Sequence, residues 1–214
     1  MPDIFDEVEE DLRRDRAMRL WKRHGWLVLV GAGLLVVGVG GWQAWTQHQR
    51  RAAEAATATL LQSARQAGAP DAALAELAKD GPAGPRTLAR LMAAARLASA
   101  GQVDQALPLW QALATDSGAE ALYRDLAVLL IGMNTLDSAD PSQLAAQLGA
   151  IAVPSNPWHH LAGELLGLLA DRQGDRAAAI ARFRALATDA TAPSGLRQRA
   201  EAMLTVLGAG GGQG

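Results

Sequence analysis

The longest uninterrupted apolar stretch of the chain lies near its N-terminus. Residues 26–42 read WLVLVGAGLLVVGVGGW, without a charged or strongly polar side chain. A helix of about twenty residues is about 30 Å long, which matches the hydrocarbon layer of a bilayer. Trp26 and Trp42 bound the stretch and Trp45 follows it, and indole rings favour the membrane interface. The pattern predicts a transmembrane helix over residues 26–45 rather than a buried core helix, which seldom contains so long an uncharged run.

Basic residues are distributed unevenly about this predicted helix. Within about fifteen residues of it, six precede it and two follow it: Arg13, Arg14, Arg16, Arg19, Lys22 and Arg23 against Arg50 and Arg51. The positive-inside rule then puts the N-terminus in the cytoplasm. The stretch is too long, and the region before it too acidic, for a cleaved signal peptide. We therefore expect an uncleaved signal anchor in a bacterial inner (plasma) membrane, with the C-terminal domain in the periplasm.

Residues 1–25 carry their acidic side chains first and their basic ones last, an order that complements a helix dipole. Ile4, Phe5, Val8 and Leu12 add a short apolar stripe. The segment predicts a charged amphipathic helix in the cytoplasm. Such a helix either serves only to set the topology or also docks to a cytoplasmic partner, and the sequence leaves both open.

Beyond residue 45 the apolar positions recur at helical spacing, and no alternating run of useful length indicates a strand. Residues 46–83 predict a helical extension and linker, with a loop at Gly81–Pro85. Residues 84–207 predict a helical-repeat domain, and the Gly-rich residues 208–214 predict a flexible tail. The expected fold class is all-α, with an N-terminal transmembrane helix followed by helix pairs.

The helical part contains an internal repeat. Residues 88–116 and 161–189 align without a gap, and both end in Ala-Leu-Ala-Thr-Asp. Each copy has a turn glycine, a small residue seven positions before it, an alanine five positions after it, and an aromatic ring four positions further on. The glycine suits a helix cap, the two small residues suit close helix approaches, and the ring suits a core position. In that order they are Gly101, Ala94, Ala106 and Trp110 in the first copy and Gly174, Gly167, Ala179 and Phe183 in the second.

This spacing resembles the tetratricopeptide repeat and implies a tetratricopeptide-like α-solenoid of helix pairs. The intervening residues 119–134 and 141–151 fit the pattern only loosely, as does the last predicted helix, 194–207. Arg90 stands where the repeat usually has a large apolar residue, so the first copy is degenerate.

Tetratricopeptide arrays usually bind peptides along the face made by their first helices. The alignment predicts that a candidate peptide groove on this face is lined by Leu88, Leu91, Ala95, Ala98, Leu161, Glu164, Leu168 and Asp171. None of these residues is basic, which disfavours a clamp for a C-terminal carboxylate. A shallow apolar groove and simple packing against neighbouring helices remain equally good interpretations.

Composition and motifs narrow the chemistry. The chain has no cysteine, which excludes thiol chemistry. Its net charge is −2, so there is no positive electrostatic field that would favour binding of nucleic acid. No phosphate loop, nucleophile elbow or HExxH motif is present, and we expect neither an enzyme nor a cofactor. His159 and His160 are adjacent and expected in the first turn after Pro157, where side chains about 100° apart cannot share a metal as an i,i+4 pair can. No metal site is expected.

The whole layout resembles the ancillary subunit of the bacterial Sec translocon, the YfgM-type family. The resemblance rests on DIFDEVEEDLRRDRAMRLWKRHG, the single anchor and the degenerate repeat domain. It implies association with Sec translocon subunits, and a periplasmic domain that helps to hand unfolded secreted polypeptides to chaperones. The resemblance also implies that the protein has a membrane-anchored prolyl isomerase-like chaperone as a partner. The alternative is a membrane-tethered scaffold of another envelope pathway, such as cytochrome maturation or cell division.

Overall fold

A computed structural model of the chain describes residues 42–43, 45–48, 50–65 and 72–209. The predicted cytoplasmic helix, Trp26 with most of the predicted membrane segment, and residues 210–214 lie outside the described residues. Within the described ranges, no helix is both long enough and apolar enough to cross a membrane. The chain divides into two units, Met1–Glu54 and Ala55–Gly214. The described residues of the first unit are helical and include Trp42 and Trp45, which are 73% and 66% exposed.

The described residues of the second unit form a series of helices. Within this unit residues 55–64 are helical, and we call this segment α1. The helices that follow are α2 Ala72–Asp80, α3 Ala83–Ser99, α4 Val103–Ala114, α5 Ala121–Thr135, α6 Pro141–Ile151, α7 His159–Arg172, α8 Arg176–Thr188 and α9 Ser194–Val206. The described part of the chain contains no strand, which confirms the all-α prediction. α3 begins inside the predicted Gly81–Pro85 loop, because Pro85 falls in the first turn, where a helix needs no backbone N–H.

Each helix from α2 onward packs against the next one in sequence, and α7 also contacts α5 and α9. This nearest-neighbour order is that of a helical-repeat array, in which each unit buries its apolar face on its neighbours. α3 with α4, α5 with α6, and α7 with α8 form successive pairs. α9 packs against α8, and the described residues contain no helix after it.

The core is a row of buried clusters between these helices rather than one central mass. Alanine supplies many of the fully buried positions, and small side chains allow helix axes to approach closely. Two large rings fill the space that remains: Trp110 of α4 is 1% exposed and Phe183 of α8 is 0% exposed. Each ring lies in a separate cluster, one shared by α3, α4 and α5 and the other by α7, α8 and α9.

The helices α3, α7 and α9 end in the same way. Gly101, Gly174 and Gly208 have φ angles of 77°, 76° and 67°, a left-handed conformation that glycine adopts without a Cβ penalty. After each glycine the next backbone N–H donates to the carbonyl five residues earlier, as Asp175 does to Ala170 at 2.9 Å. Gly208, which the sequence analysis assigns to the tail, therefore caps α9. The interval from Gly174 to Gly208 equals the length of one tetratricopeptide unit.

Candidate functional site

In the structure, the residues at the repeat-packing positions of each copy lie close together. A Cβ atom built on Gly167 would lie 2.9 Å from Cζ of Phe183, so α7 and α8 approach more closely than an alanine would allow. At the equivalent place in the first copy, Ala94 and Trp110 belong to one buried cluster. Ala106 and Ala179, which precede the two rings by one turn, are both 0% exposed. These residues set the spacing within each pair.

The middle pair, α5 and α6, repeats the arrangement with an aliphatic side chain in place of the ring. A Cβ on Gly132 would lie 3.2 Å from Leu148, and Leu148 follows Gly132 by the same interval that separates Ala94 from Trp110. The sequence pattern of this pair is only a loose fit to the repeat because it lacks both the ring and the turn glycine. The signal that identifies the middle pair is a small residue, Gly132, followed by a large apolar residue, Leu148, at the interval that separates Ala94 from Trp110.

The surface formed by α1, α3, α5, α7 and α9, which we call the first-helix face, holds the predicted groove residues. On α3, Leu88 is 43% exposed and Ala95 is also exposed. Leu91 and Ala98 are half-buried against the cluster that contains Trp110. The α3 part of the predicted groove therefore includes apolar surface that no described residue covers.

The α7 part of the predicted groove is used differently. Leu161 and Leu168 are half-buried and pack against the clusters on both sides of α7. Glu164 accepts two hydrogen bonds from Arg199 of α9, from Nε and Nη2, each 2.7 Å long. Asp171 is exposed at the end of the helix. These contacts join α7 to its neighbours on both sides.

A cleft of about 410 Å³ opens on the first-helix face between α1, α3 and α5. We call it the α1–α3–α5 cleft. Leu60 of α1, Leu88 of α3 and Tyr123 of α5 line the cleft, and of these Leu60 is buried and Leu88 is exposed. The lining residues are Thr57, Leu60, Gly84, Pro85, Thr87, Leu88, Gly118, Ala119, Glu120 and Tyr123. Only Glu120 among them carries a charge, so the lining is mainly apolar.

An ion-pair network supports the helix ends beside this cleft. The Asp116 carboxylate accepts hydrogen bonds from Arg86 Nη2 at 2.8 Å and from Arg90 Nη1 at 2.7 Å. Arg90 Nε also donates to the carbonyl of Ala78 at the end of α2, 2.8 Å away. The backbone N–H of Gly118, together with the two guanidinium groups, holds the pKa of Asp116 below its usual range. Arg90 thus joins α3 to the end of α2 and to the connection after α4, which explains why a large apolar residue is absent there.

The helix pairs, with their capping glycines and core rings, have the features of a tetratricopeptide-like array, and comparison with known families gives the same result. A family model described as a tetratricopeptide repeat-like domain matches residues 18–208. The chain belongs to this family. No curated protein and no solved structure gives a significant match to the chain.

The equivalence between the copies in this tetratricopeptide repeat-like domain extends past the two aligned segments. Arg124 donates to the carbonyl of Ala119, and Arg197, at the equivalent position of the later copy, donates to the carbonyl of Ala192. In both places an arginine near the start of a first helix binds the loop that leads into it. α9 is therefore equivalent to α5, the first helix of a repeat.

A polar cluster joins α7 to the α8–α9 connection of this tetratricopeptide repeat-like domain. His160 Nε2 lies 3.0 Å from Asp189 Oδ2, and Nδ1 of His159 lies 2.6 Å from the carbonyl oxygen of Asn156. Hydrogen bonds from the hydroxyl and backbone N–H of Thr191, and then from His160, lower the pKa of Asp189 to about 2. The sequence analysis missed this cluster because it considered the two histidines without Asp189.

Proposed function

We propose that this chain is a membrane-anchored interaction module that binds apolar segments of unfolded secreted polypeptides in the α1–α3–α5 cleft. It would work outside the cytoplasm, in association with Sec translocon subunits, and pass its clients to chaperones. The observation that carries the proposal is the cleft itself, an apolar opening on the face that tetratricopeptide arrays use for peptides.

The chemistry of the cleft selects the class of occupant. Leu60, Leu88 and Tyr123 offer apolar surface from three different helices, and Leu122 beside them is 41% exposed. An extended peptide with large apolar side chains would remove this surface from water, at about 25 cal/mol for each Å² buried. Glu120 at the rim disfavours an acidic peptide and favours one with a nearby basic residue.

The membrane and partner parts of the proposal rest on the sequence. The uncharged stretch at residues 26–42 and the excess of basic residues before it support an anchor with a cytoplasmic N-terminus. The resemblance of the layout to the ancillary Sec-translocon family supports the Sec channel and a membrane-anchored prolyl isomerase-like chaperone as partners. Membership in the tetratricopeptide repeat-like domain family supports protein interaction in general.

A site-specific photo-crosslinking experiment in intact membranes tests the proposal. A photoreactive amino acid replaces Leu88 in the full-length chain, and in a matched control it replaces Val206, which is 74% exposed on α9. We expect position 88 to capture secreted polypeptides during their export, identified by mass spectrometry, and position 206 to capture far fewer. Sec subunits should co-purify with both variants.

Two results would contradict the proposal. Equal capture of secreted polypeptides at positions 88 and 206 would remove the cleft as the client site. Recovery of cytochrome-maturation or division proteins without Sec subunits would assign the module to another envelope pathway. Leu88→Glu, with Val206→Glu as its control, provides an independent readout, because a carboxylate in the cleft should reduce client capture severalfold.

A further inference from the structure

Two loop carboxylates occupy equivalent places in the array but have different surroundings. Asp116 and Asp189 end the two aligned segments, and each accepts a hydrogen bond from the backbone N–H two positions on, at 2.9 and 2.8 Å. Two guanidinium groups neutralise Asp116, those of Arg86 and Arg90. The residues aligned with these arginines in the later copy are His159 and Gly163. Within the described ranges, the basic side chain that pairs with Asp189 is the imidazole of His160.

The imidazoles gather at the position that the arginines occupy in the first copy. The ring centroids of His159 and His160 are 3.7 Å apart. One nitrogen of each ring and one oxygen of Asp189 all lie within 4.8 Å of one another. All three residues are half-buried, so the groups are accessible to an ion yet held in place by their surroundings.

One ring already has a hydrogen bond typical of metal-binding histidines. The carbonyl oxygen of Asn156 can only accept, so Nδ1 of His159 must carry the proton that it donates. This leaves Nε2 of a neutral ring with its lone pair free. Metal-ligating histidines usually donate their other ring N–H to a carbonyl or carboxylate in this way, which fixes the tautomer and the ring orientation.

We propose that His159, His160 and Asp189 form a binding site for a divalent transition metal of the zinc class. Two imidazole nitrogens and one carboxylate oxygen form a ligand set that zinc accepts, with water completing the coordination. The bound ion supplies beside Asp189 the positive charge that Arg86 and Arg90 supply beside Asp116. It also ties the start of α7 to the α8–α9 connection, so it braces the C-terminal end of the array.

Metal titration of the purified full-length chain tests the site. Isothermal titration with Zn²⁺ should give one site that His160→Gln and Asp189→Asn each weaken by at least about tenfold. His48→Gln is the matched control, because His48 is exposed in the other unit and should leave the affinity unchanged. Mg²⁺, which prefers oxygen ligands, should not compete. Zn²⁺ should also raise the midpoint of thermal unfolding in the wild type and in His48→Gln.

A spectroscopic measurement guards against loss of folding in the variants. Co²⁺ in the site should give visible absorption bands in the wild type that disappear in His160→Gln, while circular dichroism shows the same helical content in both. No Zn²⁺ binding by the wild type, or loss of binding in His48→Gln, would overturn the proposal. Unchanged binding in both His160→Gln and Asp189→Asn would overturn it as well. The crosslinking result at position 88 is independent of all of these outcomes.

Discussion

Replacing Gly167 by alanine tests the close approach of α7 and α8. The added Cβ would lie 2.9, 3.1 and 3.2 Å from three ring atoms of Phe183, which is itself 0% exposed. The ring lies in the buried cluster shared by α7, α8 and α9, and overpacking of a buried side chain costs about 1–3 kcal/mol. Alanine offsets part of this cost, because it is favoured over glycine in a helix by about 1 kcal/mol. We expect Gly167→Ala to lower the free energy of unfolding by up to about 2 kcal/mol.

Gly149 of α6 provides the matched control. It is an exposed helical glycine, and a Cβ there would meet nothing within 4 Å. Gly149→Ala should therefore stabilise the protein by up to about 1 kcal/mol. The difference between the two variants, about 1–3 kcal/mol, isolates the contact with the ring. Urea unfolding of the full-length chain, followed by circular dichroism, measures both.

The ring is tested directly by combining Gly167→Ala with Phe183→Leu. A leucine is the natural residue at the equivalent position of the middle pair, where Leu148 faces Gly132. The alanine should be less costly in the Phe183→Leu background, and a double-mutant cycle measures the coupling. The reasoning fails if Gly167→Ala stabilises the chain as much as Gly149→Ala does, or if the cycle shows no coupling.

Three further predictions concern the helix ends. Gly174→Ala should lower the free energy of unfolding by about 1–2 kcal/mol, because the φ angle of Gly174 is 76°. An unchanged free energy of unfolding in urea would refute this prediction. Arg90→Lys should lower stability by about 1–3 kcal/mol, since a lysine cannot reach both Ala78 and Asp116, whereas the exposed Arg65→Lys should change little. The folded pKa of Asp116 is depressed, so its stabilisation is present above its unfolded pKa of about 4 and is lost as the pH falls further. Asp116→Asn should reduce the difference in thermal midpoint between pH 7 and pH 3, and an unchanged difference would contradict the assignment.

The sequence predicts the features of the fold that depend on local residue type. Gly101 and Gly174 are recognisable because a left-handed helix end favours glycine, and Trp110 and Phe183 because a ring recurs at a fixed distance from that glycine. These signals suffice for the all-α class and for two of the pairs. These signals do not identify the middle pair, because Leu148 takes the place of the ring and leucine occurs throughout the chain.

The candidate sites are harder to predict, because their partners are backbone atoms or residues of another helix. Nothing in the sequence around Arg90 shows that the carbonyl of Ala78 lies within its reach. Leu88 and Leu161 occupy aligned positions, yet Leu88 is exposed whereas Leu161 is covered by neighbouring helices. The periodicity cannot distinguish these two cases. His160 meets Asp189 only because a first helix packs beside the connection that ends its own pair, and neither residue has a local motif that reveals this.

The nearest-neighbour packing of the helices has a consequence for how the domain folds. Each contact between helices joins segments that are close in the chain, so forming it closes only a short loop and costs little chain entropy. A helix pair can therefore assemble as soon as its own residues are available, without waiting for the C-terminus. Folding can proceed in the order of synthesis, and unfolding can begin at either end of the array while the central pairs remain intact.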